Sequence, residues 1–233
     1  MIRNFLLVFL MILSTFGFAQ KKYSANIQNE RFTFAYKKLY VPAALMTAGI
    51  LVENRREQTL QETSSAGTTD LLGFGNHLDD YLQFAPSAAV YGFELAGMTP
   101  RTDWQNRTAI LVKGQALNLG LVYILKKSLK KTRPDGTGYS FPSGHTANAF
   151  AGATMLTIEY GEQYRWVPYV SYGVATGVGM MRMSNEKHYM SDVLFGAGLG
   201  ILSMKVAYWT HQYQWNKTKS EADPYASIYR AFY

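Results

Sequence analysis

Cysteine is absent from the 233 residues, so disulfides and thiolate metal sites are excluded, and the compartment has to be read from other features. Acidic residues are scarce: 16 Asp and Glu stand against 23 Lys and Arg. The net charge of +7 favours anionic partners such as phosphorylated substrates, lipid head groups or nucleic acid. No recognition motif and no aromatic-interleaved basic stripe accompany that charge, so a nucleic-acid partner is not expected. Internal repeats are missing and alternating strand patterns are rare, which predicts one mainly α-helical domain.

The N-terminus, MIRNFLLVFLMILSTFGFAQ, has a basic residue at Arg3, an apolar stretch over residues 5–13 and small residues at Gly17 and Ala19. This layout predicts a secretory signal peptide over residues 1–19 and export to the bacterial cell envelope, the periplasm. An uncleaved anchor is the alternative, although the stretch is short for a span. A polar lead occupies 20–38, a helical domain 39–211, and a tail without a helical apolar face 212–233.

Apolar segments of helical length fall at about 40–53, 80–98, 106–131, 145–160, 165–182 and 190–211. A bilayer span needs about 20 mostly apolar residues. The first segment offers thirteen before Glu53, and the third contains Lys113, Gln115 and Asn118. Only 165–182 and 190–209 look long enough. If a cleaved chain crossed six times, the region after the third segment would also face inward, away from an envelope substrate. The expectation is therefore an exported domain that is soluble or lies against the membrane, with a spanning arrangement left open.

Three stretches carry chemistry. LKKSLKKTRPDG places Lys126, Lys130 and Arg133 at i, i+4 and i+7, one stripe if the helix continues to Pro134. A solvated basic helix end is the plainer reading. In FPSGHTANAF, Ser143 can cap a helix whose free N–H groups, beside Gly144, form an anion site, with His145 next to it. An ordinary helix start has the same pattern. In RMSNEKHYMSDVLFGAGLG, His188 and Asp192 are i, i+4 on a helix expected to begin near Glu186. The carboxylate can hold one ring nitrogen's proton and leave the other as a lone pair, a nucleophile or base. A metal site is disfavoured, because Lys126, Arg133 and Arg182 would repel a cation. His77 and His211 lie outside these stretches and read as structural or surface residues.

Together, Lys126-x6-Arg133-Pro134, Pro142-Ser143-Gly144-His145 and Arg182-x5-His188-x3-Asp192 resemble the three-part signature of the type 2 phosphatidic acid phosphatase (PAP2) superfamily. Bacterial class A acid phosphatases and vanadium-dependent haloperoxidases are similar in the same places. The resemblance covers about residues 106–210. Met181 departs from it, since many relatives have serine before the arginine.

The resemblance implies an all-α, PAP2-like bundle of about six core helices. It also implies a metal-independent phosphatase acting on phosphate monoesters. Lys126, Arg133, Arg182, Ser143 and the Gly144 N–H would hold the phosphate. His188, oriented by Asp192, would attack phosphorus to give a phosphohistidine. His145 would protonate the leaving oxygen and then activate water. No cofactor is expected. Aromatic and apolar content, including Trp104, Trp166 and Trp209, favours a lipid phosphate of the envelope and membrane contact, with a soluble ester as alternative. A haloperoxidase holding vanadate and a non-catalytic lipid-binding protein are the rivals.

Overall fold

The computed structural model describes residues 34–62 and 77–212. The expected signal peptide, most of the polar lead and the tail beyond residue 212 lie outside them. After a 3-10 turn at Tyr36–Leu39, seven α-helices follow: α1 Tyr40–Glu62, α2 Leu78–Leu82, α3 Ala85–Leu95, α4 Trp104–Leu129, α5 Gly144–Tyr160, α6 Val167–Ser184 and α7 Met190–Trp209. No strand occurs among the described residues, as the missing alternation predicted.

The segment expected as one helix over 80–98 is two. Pro86 lacks an N–H, and in a continuous helix its ring would clash with the carbonyl four residues back, that of Leu82, where α2 ends. Pro86 instead sits in the first turn of α3, and Pro168 does the same in α6. Asp103 caps α4 by accepting from the Gln105 and Asn106 N–H groups.

Helix α5 is the axis, packed against α3, α4, α6 and α7, while α1 lies on the far side of α7. Small residues make this possible. A Cβ on Gly200 would stand 2.1 Å from the Ala147 carbonyl oxygen, and one on Gly196 2.6 Å from that of Ser143. These two glycines, one turn apart on α7, let the first turns of α5 lie directly on the α7 backbone. Gly198 faces the opposite way, 2.6 Å in the same sense from the Pro42 carbonyl of α1. Gly200→Ala is therefore expected to cost about 3 kcal/mol, because backbone rather than a movable side chain must give way. Gly173→Ala on α6, where a Cβ meets nothing within 4 Å, is the control expected to be harmless in the same unfolding measurement.

One apolar cluster, including Val90, Ile110, Met155, Tyr160, Met204 and Tyr208, fills the end of the bundle where α5 and α7 finish. A second, of Val122, Phe141, Ala147, Phe195 and Leu199, underlies the end where they begin.

Two helices are long and apolar enough to cross a membrane among the described residues, α4 and α7. This corrects the sequence expectation, which discounted α4 and counted 165–182. The polar residues that argued against α4 are used within the bundle: Asn118 is buried, Gln115 donates to Ser87, and Lys113 Nζ reaches the Thr210 carbonyl at 2.8 Å. Val112, Leu119, Tyr123 and Ile124 are left facing outward. Only 22% of the α4 window is buried, against 67% for α7, so α4 presents the apolar surface and α7 serves the core.

Candidate active site

The C-terminal ends of α4 and α6 and the starts of α5 and α7 meet at one end of the bundle. Lys126 Nζ donates to the carbonyls of Tyr139 at 2.6 Å and Ser140 at 3.2 Å, which returns the 130–143 loop over the end of α4. The Ser143 N–H donates to the Asp192 carbonyl at 3.0 Å, fastening the start of α5 to α7. The His188 N–H donates to the Arg182 carbonyl at 3.2 Å, and Asp135 accepts from Lys187 at 2.9 Å. All three predicted stretches are thereby joined.

Two local expectations are corrected. Lys126, Lys130 and Arg133 do not share a stripe, because α4 stops at Leu129 and Lys130 turns left-handed at φ 46°. Arg133 belongs to the returning loop. His188 is likewise not on a helix starting near Glu186, which has φ 54°; α7 begins at Met190, and His188 precedes it. The contact survives because the Asp192 carboxylate reaches back over the helix start. Its Oδ2 accepts from the Tyr189 N–H at 3.0 Å and meets His188 Nδ1 at 3.2 Å.

His188 and Asp192 are almost wholly buried. Ser140, unrecognised in the sequence, donates its hydroxyl to the same Asp192 oxygen. With Nδ1–H directed at the carboxylate, the lone pair falls on Nε2. Burial pushes the His188 pKa down to about 4; Asp192 pulls it up, and the Lys126 and Arg182 charges press it further down. The ring is therefore neutral and nucleophilic at ordinary pH.

Ser143 caps α5, its Oγ 2.9 Å from the Thr146 hydroxyl and 3.5 Å from the Thr146 nitrogen. Gly144 opens the helix, and a Cβ there would make only an ordinary contact with Val122 at 3.5 Å. Protein packing thus does not demand glycine, whereas close approach of an anion to the first-turn N–H groups does favour it. The Nε atoms of Arg133 and Arg182 are buried without a hydrogen-bond partner among the described residues. Two guanidinium donors are consequently left for an oxyanion. An ammonium has three N–H donors, so Lys126 keeps one beyond its two carbonyls.

His145 and Arg182 have partners the sequence reading missed. Arg182 donates to Asp79 at 2.7 Å, and His145 Nε2 lies 2.9 Å from Asp80 Oδ1. Burial pushes His145 below its ordinary pKa, and Arg182 adds to this, while Asp80 and Asp79 oppose it. The one signal in the sequence was a pair of adjacent carboxylates, in HLDDY, within an acid-poor chain. His77, read as structural or surface, is exposed, with Nδ1 3.5 Å from Asp80 Oδ2; His211 Nε2 contacts Asn106 at 2.8 Å, away from the site. No cluster of His and carboxylates suited to a metal occurs among the described residues.

Comparison with known proteins agrees with this geometry. The sequence model of the PAP2 superfamily matches residues 107–216, which contain all three stretches. Over 138 residues the chain is 39% identical to lipid A 1-phosphatase of Porphyromonas gingivalis, covering 58% of this chain and 31% of that protein. Over 115 residues it is 30% identical to phosphatidylglycerophosphatase B of Bacillus subtilis, covering 44% of this chain and 56% of that one. The chain thus spans about a third and about half of these relatives, both named as lipid phosphatases. The crystal structure of the first transmembrane PAP2 type phosphatidylglycerolphosphate phosphatase from Bacillus subtilis superposes with a TM-score of 0.50 at 20% identity. The alignment covers 72% of this chain and 94% of that one, a likeness of fold. Residues 107–216, which carry the three joined motifs, match the PAP2 superfamily, and the helical bundle has the fold of a PAP2 type phosphatase.

Proposed function

We propose that the chain is a membrane-associated phosphatase that hydrolyses a lipid phosphate monoester through a phosphohistidine on His188. The observation that carries this reading is the buried His188–Asp192 pair, set beside guanidinium donors that have no protein acceptor. Phosphoryl transfer needs charge neutralisation, donors on the equatorial oxygens, an in-line nucleophile and an acid on the leaving oxygen. Arg133, Arg182 and Lys126 neutralise the phosphate, and the Gly144 N–H and Ser143 at the α5 start add donors.

In the first step His188 Nε2 bonds to phosphorus while the bond from phosphorus to the ester oxygen breaks. His145 gives its proton to that oxygen, and the alcohol leaves. In the second step His145 takes a proton from water as the water oxygen bonds to phosphorus. The phosphorus–nitrogen bond breaks, His188 is regenerated and inorganic phosphate departs. The three side-chain cations occupy the role a divalent metal plays in other phosphatases, so activity is expected to persist undiminished in EDTA. Loss of turnover on chelation, restored by a divalent cation, would contradict this.

A lipid substrate is supported by the names of the relatives and by the outward apolar residues of α4. Membrane association puts the site beside lipid head groups, and we place it on the exported side of the membrane. Purified protein offered phosphatidic acid, lipid A, an isoprenyl diphosphate and a soluble monoester tests the substrate class: preference for a lipid monoester supports it, and preference for the soluble ester overturns it.

A further inference from the structure

The matched family region begins at residue 107, yet two side chains of the catalytic pocket are held from a helix well before it. We propose that α2 is part of the active site, with Asp80 the positioning partner of His145, fixed in place because Asp79 anchors the helix to Arg182. The proposal rests on the phosphatase reading above.

Helix α2 has only five residues and could not hold a side chain in place by itself. It is clamped at both ends. Asp79, fully buried, accepts from Arg182 Nη1 at 2.7 Å and from Asn185 Nδ2 at 3.2 Å, which fixes its start to the end of α6. Gln83, just past its end, accepts from Asn148 Nδ2 at 3.3 Å, which fixes it to α5. Asp80 lies between these clamps, with Oδ1 2.9 Å from His145 Nε2 and 3.5 Å from Arg182 Nη1.

A half-buried pair of this kind, open to solvent on the Asp80 side, contributes little to stability. Its chemical effect is larger. The acid in the first step must carry a proton when the alkoxide leaves, yet His145 sits in a partly buried pocket beside the Arg182 cation, and both oppose the imidazolium. The groups that face it are Arg182 from α6 and Asp79 and Asp80 from α2; His77 bears on it through Asp80. Of these, Asp80 alone hydrogen-bonds the ring. It favours the protonated form in the first step and stabilises the imidazolium that returns when water is deprotonated in the second. With Nε2 held by Asp80, Nδ1 is the atom that exchanges the proton. The site then has two histidine–carboxylate pairs: His188–Asp192 fixes a lone pair, and His145–Asp80 retains a proton.

Asp80→Asn in the full chain tests this with two esters and one titration. An alkyl phosphate needs an acid for its leaving oxygen, whereas p-nitrophenyl phosphate does not. The variant is expected to lose about tenfold or more of kcat on the alkyl ester and clearly less on the aryl ester. The alkaline limb of its rate profile should move to lower pH. The NMR titration midpoint of His145, assigned by its disappearance in His145→Ala, should fall in the variant without reference to turnover. Equal losses on both esters, a gain in activity, or an unchanged His145 midpoint would each overturn the proposal. If the wild-type chain hydrolyses neither ester while the midpoint still falls, the phosphatase reading fails and the Asp80–His145 pairing stands.

Discussion

His188→Ala is expected to lower kcat by about 10⁴-fold or more while leaving a folded protein that still binds inorganic phosphate. The size follows from the absence of a substitute. Asp192 Oδ2 is committed to His188, the Tyr189 N–H and Ser140, and the Ser143 oxygen accepts from the Thr146 N–H at the cap of α5, so that its hydroxyl serves as a donor to the phosphate and not as a nucleophile. His145 is held at Asp80. Phosphate binding survives because the Arg133 and Arg182 guanidinium groups and the start of α5 are untouched by the substitution. The loss therefore falls in kcat, and phosphate inhibition of residual activity, or calorimetry with phosphate, separates it from a collapsed pocket. A variant that lost phosphate binding along with turnover would mark His188 as a structural residue.

His145→Ala is expected to cost about 10²- to 10⁴-fold on an alkyl or lipid ester and markedly less on an aryl ester whose leaving group needs no proton. The pH dependence has a definite sign. Free-enzyme activity, read as kcat/KM, should rise as His188 loses its proton at about pH 4. It should fall again as His145 loses its own, at a pH below the ordinary histidine value because burial and Arg182 favour the neutral ring. The optimum is thus acidic. In His145→Ala the alkaline limb attributable to residue 145 disappears, while the acidic limb set by His188 stays.

The three stretches at 126–134, 142–145 and 182–192 were legible because their chemistry depends on fixed local spacing: a carboxylate four residues after a histidine, a capping serine before a glycine. A mainly α class was legible from the scarcity of alternating patterns, and the all-α bundle from the resemblance carried by the three stretches. Helix ends were less so. Lys130 terminates α4 in a left-handed turn, and His188 lies outside α7, because loops that return to the site override the continuation suggested by pattern alone.

Partners distant in sequence were not legible. Asp80 is 65 residues from His145, Asp79 is 103 from Arg182, and Ser140 is 52 from Asp192. Glu53 of α1 likewise accepts from Lys131 at 2.7 Å and from Ser191, tying that helix to the loop after α4 and to the residue before Asp192. No spacing rule connects such pairs; tertiary packing creates them. The apolar face of α4 was hidden for a related reason. Its polar residues counted against a membrane helix in a linear window, yet Asn118 and Gln115 turn inward and Lys113 reaches the end of α7.

Rapid quenching during turnover of a phosphorus-labelled ester, followed by mapping of the labelled residue, is the most direct measurement of the central claim. The expected label is on His188, stable to alkali and released by acid, and absent from His188→Ala. Label on a serine, or full turnover by His188→Ala, would contradict the mechanism.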